Sequence, residues 1–122
     1  MHELSIAMGI VDAALEEARQ RSARVSAVHL RLGPLSGVVK DALLFSWNVA
    51  CQDTPLVGAQ LLVEEVPAVV FCPQCKDRKT LRSVQEFVCP DCGALTGEVL
   101  QGKELEIFAL EVEDEVREEI EK

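Results

Sequence analysis

Two Cys-x-x-Cys motifs, Cys72-Pro-Gln-Cys75 and Cys89-Pro-Asp-Cys92, decide the fold of this chain, and thirteen residues lie between them. Each Cys-x-x-Cys turn directs two sulfur atoms to one point, and a hairpin between two such turns brings four sulfurs together. Four thiolates at tetrahedral positions favour Zn²⁺ over other divalent ions. The spacing therefore predicts a structural zinc site formed by Cys72, Cys75, Cys89 and Cys92.

The paired motifs also allow a redox-active dithiol or disulfide bonds. A thioredoxin-like dithiol needs one motif at the start of a helix in a βαβ unit, whereas this chain has two motifs within a loop. A closed set of four thiolates leaves no open position for water, which disfavours hydrolytic zinc chemistry. A redox-active dithiol protein remains one alternative function for this chain. Cys51 stands outside the tetrad and is predicted to be a small buried hydrophobe.

Charge limits the partners that this chain can bind. Its 122 residues carry a formal net charge of −9, which argues against a surface for nucleic-acid phosphates. The segment between the two motifs nevertheless contains a local basic cluster, made of Lys76, Arg78, Lys79 and Arg82. This cluster keeps an alternative function open, a zinc-ribbon adaptor module that binds protein or nucleic acid. Because of the negative net charge, we expect no nucleic-acid partner.

The expected compartment is the cytoplasm. No apolar run approaches the roughly 20 residues of a membrane span, so we expect no membrane association. The opening residues include Glu3 and no basic region before the apolar positions, which argues against a signal peptide. In a reducing compartment, paired cysteines bind metal or perform redox chemistry more often than they form structural disulfides.

Hydrophobic periodicity predicts two helices and three strands outside the cysteine segment. Apolar residues at helical spacing predict helices over Leu4–Ala18 and Asp41–Cys51. Alternation predicts strands over Val25–Leu32 and Leu61–Val66. A third strand, Leu105–Val112, has apolar residues on both faces and is expected to be central or well covered.

The predicted fold class is α+β, with two helices packed on a small three-stranded sheet and an inserted zinc-ribbon-like module. Residues 1–68 and 98–122 are expected to form the main domain, and residues 69–97 the insert. The insert has too few large apolar residues for a core of its own. Structural zinc contributes about 10–16 kcal/mol in small fingers, so zinc is expected to replace that core. The charged run Glu111–Lys122 is expected to be a solvated or frayed tail.

The first three residues offer nitrogen donors at short spacing. The α-amine of Met1, the amide and imidazole nitrogens of His2 and the amide nitrogen of Glu3 can close small chelate rings around one ion. Planar nitrogen donation favours Ni²⁺ or Cu²⁺ over Zn²⁺. A histidine beside a chain terminus is usually a solvated bystander, so these residues permit a second metal site without requiring one.

Short stretches along nearly the whole chain add to these motifs. They are Met1-His2-Glu3-Leu4-Ser5, Leu32-Gly33-Pro34-Leu35-Ser36, Gly102-Lys103-Glu104-Leu105 and Glu111-Val112-Glu113. With these stretches and the paired cysteines, the chain resembles the HypA/HybF family of nickel-insertion accessory proteins for nickel-iron hydrogenases. The resemblance implies a nickel metallochaperone that holds Ni²⁺ transiently through Met1, His2 and Glu3 and keeps a separate structural Zn²⁺.

The resemblance also implies partners, a nickel-insertion GTPase and the precursor of the hydrogenase large subunit. Some relatives add a carboxylate ligand at a position near Val39, where this chain has no donor, and Asp41 is out of register. The residues suggest no catalytic triad and no phosphate-cradling loop, so the chain is not expected to be an enzyme. Whether it works as a monomer or a homodimer is left open by the sequence.

Overall fold

The computed structural model of the chain describes residues 2–114, which form two helices and six strands. In chain order the elements are α1 (Glu3–Arg21), β1 (Ala23–Leu32), α2 (Lys40–Cys51), β2 (Gln60–Glu65), β3 (Val69–Cys72), β4 (Asp77–Thr80), β5 (Glu98–Gln101) and β6 (Leu105–Asp114). The predicted α+β class is confirmed. Neither helix in this part of the chain combines the length and the apolar character that crossing a bilayer requires.

The strands form two three-stranded sheets, with orders β2-β1-β6 and β4-β3-β5. In the second sheet β3 pairs with β4 and with β5, both antiparallel. The chain divides into two compact units, of which the first comprises residues 1–30, 38–63 and 107–122. The second comprises residues 31–37 and 64–106. The predicted insert, residues 69–97, lies within the second unit, which extends beyond it on both sides.

The two helices bury one face each, as their periodicity predicts. Helix α1 buries Ala7, Ile10, Val11, Ala14 and Ala18, and α2, which packs against it, buries Leu43, Trp47 and Cys51. Helix α1 ends at Arg21, and the next residue, Ser22, caps it with a left-handed backbone (φ 51°) and an N–H that donates to the carbonyls of Ala18 and Arg19. The Trp47 indole N–H donates to the carbonyl of Ala59 at 3.0 Å. Trp47 and Cys51 are core residues, each 2% exposed.

The central strand of the first sheet is β1, and the predicted place of the last strand was wrong. Strand β6 lies at an edge of the order β2-β1-β6. Its side chains Phe108 and Val112 are 42% and 44% exposed, so apolar residues on both faces did not indicate two covered faces. The Phe108 ring instead meets the edge of the His29 ring, with centroids 5.8 Å apart.

Part of the acidic C-terminal run belongs to β6, so the frayed alternative is wrong there, while Glu111 and Glu113 are exposed as the solvated alternative expects. Glu111 accepts from Nε2 of His29 at 2.7 Å, and Glu113 pairs with Arg24. The side chain of Ser26 donates to the carbonyl of Glu111. The structure thereby gives His29 a carboxylate partner. Residues 115–122 of the run lie outside the described residues.

The second unit has a small apolar cluster, which the cysteine segment forms together with the chain that flanks it. Ala68, Val70 and Leu81 are buried together, and Leu35, Phe87 and Val99 pack against them. Leu35, Ala68 and Val99 come from outside residues 69–97. A count limited to those residues therefore missed the apolar side chains that the flanking chain supplies.

Two glycines of the second unit allow a close backbone contact. The N–H of Gly33 donates to the carbonyl of Glu104 at 2.9 Å, and that of Leu35 donates to the carbonyl of Gly102 at 2.7 Å. A Cβ atom on Gly33 would lie 2.1 Å from the Gly102 carbonyl oxygen. Gly102 itself has a φ of 132°, which disfavours any other residue. This contact joins the Leu-Gly-Pro-Leu-Ser stretch to the Gly-Lys-Glu-Leu stretch.

We predict that Gly33→Ala lowers the free energy of unfolding by at least about 2 kcal/mol, because the added methyl group overpacks against backbone that cannot rotate away. Gly9→Ala is the matched control. No atom would approach its Cβ within 4 Å, and alanine in a helix interior stabilises by about 0.5–1 kcal/mol. Urea unfolding curves measure both changes. Equal midpoints for Gly33→Ala and the parent protein would contradict the prediction.

Candidate metal centres

The four predicted zinc ligands lie together in the second unit. The sulfur atoms of Cys72, Cys75, Cys89 and Cys92 are all within 4.8 Å of one another. Between the two motifs, Sγ of Cys72 lies 3.5 Å from Sγ of Cys92, and Sγ of Cys75 lies 4.0 Å from Sγ of Cys89. Zinc–sulfur bonds of about 2.3 Å in a tetrahedron place sulfurs about 3.8 Å apart. The spacing fits a zinc ion with four thiolate ligands.

The first cysteine turn follows directly from a strand of the second sheet. Cys72 ends β3, and the backbone N–H of Cys75 donates to the Cys72 sulfur at 3.3 Å. The N–H of Lys76 donates to the carbonyl of Cys72 at 2.7 Å and closes the turn. Lys76 adopts a left-handed backbone with φ 55° to do so. These bonds orient the first turn, with the Cys72 sulfur held by a backbone N–H.

The second cysteine turn repeats this pattern within a short hairpin. The N–H of Asp91 donates to the Cys89 sulfur at 3.4 Å, and the N–H of Gly93 donates to the carbonyl of Cys89 at 2.9 Å. Gly93 takes the left-handed position, with φ 77°, at no steric cost. Below the turn the hairpin is held by a bridge between Val88 and Leu95. The sequence therefore builds two similar sulfur-presenting turns on different supports.

The electrostatics of the cluster favour a bound cation. Hydrogen bonds with Cys92 and then Cys72 raise the pKa of Cys75 to about 12. At Cys89, burial opposes ionisation, but the backbone N–H groups of Cys92 and Asp91 outweigh it and lower the pKa to about 7. Four adjacent thiols therefore cannot all ionise by themselves. A divalent cation that replaces their protons removes this conflict, because metal binding and thiol deprotonation are linked.

Two residues of the predicted basic cluster turn towards the cysteine module. Nζ of Lys79 pairs with the Asp91 carboxylate at 2.6 Å, and the Arg82 guanidinium donates to the carbonyl of Pro90 at 3.2 Å. Lys79 is thus paired with a carboxylate, whereas Lys76, Arg78 and Arg82 are exposed. The sequence missed the Lys79–Asp91 pair because twelve positions separate the two residues.

Two of the three predicted nickel ligands, His2 and Glu3, lie at the start of α1, in the first unit. His2 is exposed and occupies the N-cap position, where it makes no side-chain capping hydrogen bond. Its carbonyl accepts from the N–H of Ile6 at 3.2 Å, the first hydrogen bond of the helix. Met1 lies outside the described residues. Among residues 2–114, only the four cysteines form a group of three or more potential side-chain ligands close enough to share an ion.

The Glu3 carboxylate is directed towards the start of α2. Its Oε2 atom accepts from the backbone N–H of Val39 at 3.3 Å. Val39 is the N-cap residue of α2 and has no side chain that could cap a helix. Position 39 is therefore a neighbour of Glu3 in this fold, but the valine there has no side-chain atom that could bind a metal. Asp41 is exposed in the first turn of α2.

The fold and the cysteine cluster define a small α+β protein with a module of the zinc-binding type. The sequence model described as "Hydrogenase/urease nickel incorporation, metallochaperone, hypA" matches residues 1–112. The chain is 53% identical over 112 residues to the hydrogenase maturation factor HypA of Chloroflexus aurantiacus, covering 91% of this chain and 98% of that protein. It is 51% identical over 119 residues to HypA of Roseiflexus sp. strain RS-1, covering 97% of each. The chain belongs to the HypA family.

Two solved structures share the fold. The solution structure of the Ni metallochaperone HypA from Helicobacter pylori matches with a TM-score of 0.62 and 19% identity, covering 91% of this chain and 97% of that one. A second solution structure, of a HypA protein, matches with a TM-score of 0.69 and 20% identity, covering 94% and 98%. The family expected from the sequence motifs is confirmed. The family is one of nickel incorporation, and the cysteine cluster is consistent with structural zinc.

We predict that Cys72→Ser abolishes stoichiometric zinc binding, because a hydroxyl group replaces one of four thiolates and the oxygen sits too far from the ion. The matched control is Cys51→Ala, which removes a buried cysteine outside the cluster. Metal analysis of the purified variants should give about one zinc per chain for the parent and for Cys51→Ala. Equal zinc content in Cys72→Ser would contradict the assignment.

Proposed function

We propose that this chain is a nickel metallochaperone that binds Ni²⁺ at its amino-terminal end and delivers it during maturation of a nickel-iron hydrogenase. The match of residues 1–112 to a family of nickel incorporation carries this proposal. The exposed position of His2 at the start of α1 supports it. The His2 side chain makes no capping hydrogen bond, so its imidazole is free to bind an ion. The cargo ion then sits at the surface, where a partner can reach it.

The start of a helix suits the nitrogen donors that the proposal needs. The first N–H groups of a helix have no intrahelical acceptor, so the amide nitrogens of His2 and Glu3 do not lose a helical bond when they ligate a metal. Glu3 contributes its backbone nitrogen in this arrangement, since its carboxylate accepts from Val39. The positive end of the α1 dipole opposes a cation, and anionic deprotonated amides offset that effect. The α-amine of Met1 completes a planar set of nitrogens, which favours Ni²⁺.

The cysteine cluster has a separate role in this proposal. Cys72, Cys75, Cys89 and Cys92 hold Zn²⁺ as a closed structural site, with no open position for a substrate. The zinc ion holds the two cysteine turns together beside the small apolar cluster of the second unit. Nickel and zinc thus occupy sites of different donor chemistry, nitrogen for the transferred ion and sulfur for the retained one.

The proposed partners follow from the family's role in hydrogenase maturation. We propose that a nickel-insertion GTPase supplies the energy of nucleotide hydrolysis and that the precursor of the hydrogenase large subunit receives the ion. The chain itself offers no catalytic group in this scheme and acts by binding and release. A reducing cytoplasm would keep the four thiols available for zinc.

We predict that His2→Ala abolishes tight nickel binding and leaves zinc at about one per chain, because the imidazole is the one side-chain nitrogen of the proposed site. His29→Ala is the matched control, since it removes the other histidine, which is paired with Glu111. Calorimetric titration of an untagged chain beginning at Met1 measures nickel affinity, and metal analysis measures zinc.

Two further outcomes test whether the α-amine and the His2 imidazole are nickel ligands. An extension ahead of Met1 should weaken nickel binding as well, because it converts the α-amine into an amide. If His2→Ala binds nickel as tightly as His29→Ala does, the proposed site is wrong.

We predict that nickel affinity falls steeply between pH 7.5 and pH 6. Imidazole must be neutral to bind a metal, and it titrates near pH 6.5 in model peptides. Each ligating amide must also lose its proton, so a lower pH opposes binding at several donors. Titrations at the two pH values in matched ionic strength measure the effect. Equal affinities would show that the nitrogens proposed here are not the ligands.

A further inference from the structure

Lys79 and Asp91 form an ion pair beside the cysteine cluster. Lys79 lies in β4, opposite Val70 of β3, and its side chain is only 18% exposed. Its Nζ atom lies 2.6 Å from Oδ2 of Asp91, the residue between Pro90 and Cys92. Most of the Lys79 side chain is covered by protein while its ammonium group reaches the Asp91 carboxylate, whose side chain is 64% exposed.

The pair connects β4, which supports the first cysteine turn, to the second cysteine turn itself. The first turn extends the β3–β4 hairpin, and the second lies in the separate hairpin around the bridge between Val88 and Leu95. Phe87 ties the base of that hairpin to the apolar cluster of the second unit. Lys79 binds the tip of that hairpin through the Asp91 carboxylate, and Arg82 binds it through the carbonyl of Pro90. The bond from Lys79 therefore acts on the separation and orientation of the two sulfur pairs.

A nickel-handling protein has to keep nickel out of its zinc site. The general order of divalent affinities does not by itself secure zinc against nickel, so geometry has to discriminate. Four-coordinate nickel accepts planar arrangements, whereas zinc with four thiolates is tetrahedral. Flattening four thiolates towards a plane requires one cysteine turn to rotate relative to the other. A bond from β4, which supports the first turn, to the second turn itself resists that rotation.

We propose that the Lys79–Asp91 ion pair is a metal-selectivity device, which holds the second cysteine turn so that the four thiolates accept zinc and discriminate against nickel. Lys79 is a positioning residue in this role and does not ligate the ion. The inference rests on the proposed zinc assignment of the four cysteines. If the ion pair acts in this way, nickel bound by the protein stays at the amino-terminal site.

The experiment compares Lys79→Met and Asp91→Asn in the full chain, with His2→Ala present throughout to silence the amino-terminal nickel site. Arg78→Met is the matched control, because it removes the same charge from the adjacent, exposed position of β4. Chelator competition measures zinc and nickel affinities. Sulfur-to-nickel charge-transfer absorption reports nickel bound to thiolates, and the visible spectrum of the Co²⁺-loaded protein reports tetrahedral geometry.

We expect Lys79→Met and Asp91→Asn each to lower the zinc affinity by about tenfold, a typical effect of residues that orient metal ligands. The nickel affinity of the thiolates should fall less or rise, so the nickel-to-zinc ratio increases. Lys79→Arg should restore the ratio and the Co²⁺ spectrum, because it keeps the ion pair. Arg78→Met should stay within about twofold of the parent, as expected for an exposed charge.

Three results would overturn the proposal. They are a nickel-to-zinc ratio in Lys79→Met equal to that in Arg78→Met, equal weakening of both metals, and tighter zinc binding in Asp91→Asn. If Lys79→Met fails to fold, Asp91→Asn decides by itself. Failure of the zinc assignment is distinguishable, because the parent protein would then show no zinc and no tetrahedral Co²⁺ spectrum.

Discussion

Convergence of four sulfurs on one point is the constraint on which the second unit depends. Each turn presents its sulfurs through backbone geometry, with N–H groups of Cys75 and Asp91 directed at sulfur and left-handed residues after each motif. The apolar cluster around Val70 is small and cannot by itself offset the chain entropy of such a segment. Thiolates brought this close repel one another. The arrangement therefore requires a cation, and a bound cation stabilises it.

The strongest sequence signals were the ones that depend on short-range geometry. The spacing of two Cys-x-x-Cys motifs predicted the cluster, and helical periodicity predicted both helices to within a few residues, because local backbone geometry determines those patterns. The position of β6 at a sheet edge was not predictable in this way. Apolar residues on both faces of a strand describe composition, whereas the order of strands depends on pairing between distant segments.

Long-range contacts account for the other differences. The Glu3 carboxylate meets the backbone of Val39, and Lys79 meets Asp91, yet nothing in the local sequence around any of these residues indicates its partner. The basic cluster shows the consequence for function. As a pattern it suggested a surface for acidic partners, and in the structure two of its members bond to the second cysteine turn instead. Two of its four charges therefore act within the module.

A metal that is retained and a metal that is handed on need opposite surroundings. The thiolates are held in the second unit by hydrogen bonds, an ion pair and two buried cysteines, so releasing an ion there would disturb many contacts. His2, by contrast, is exposed at a helix start where its side chain makes no capping bond. An ion proposed to bind there can leave without breaking α1, since the first hydrogen bond of the helix uses the His2 carbonyl and leaves the imidazole free. In the proposed function, exposure at the one site and multiple restraint at the other would allow one small chain to keep zinc while it passes nickel on.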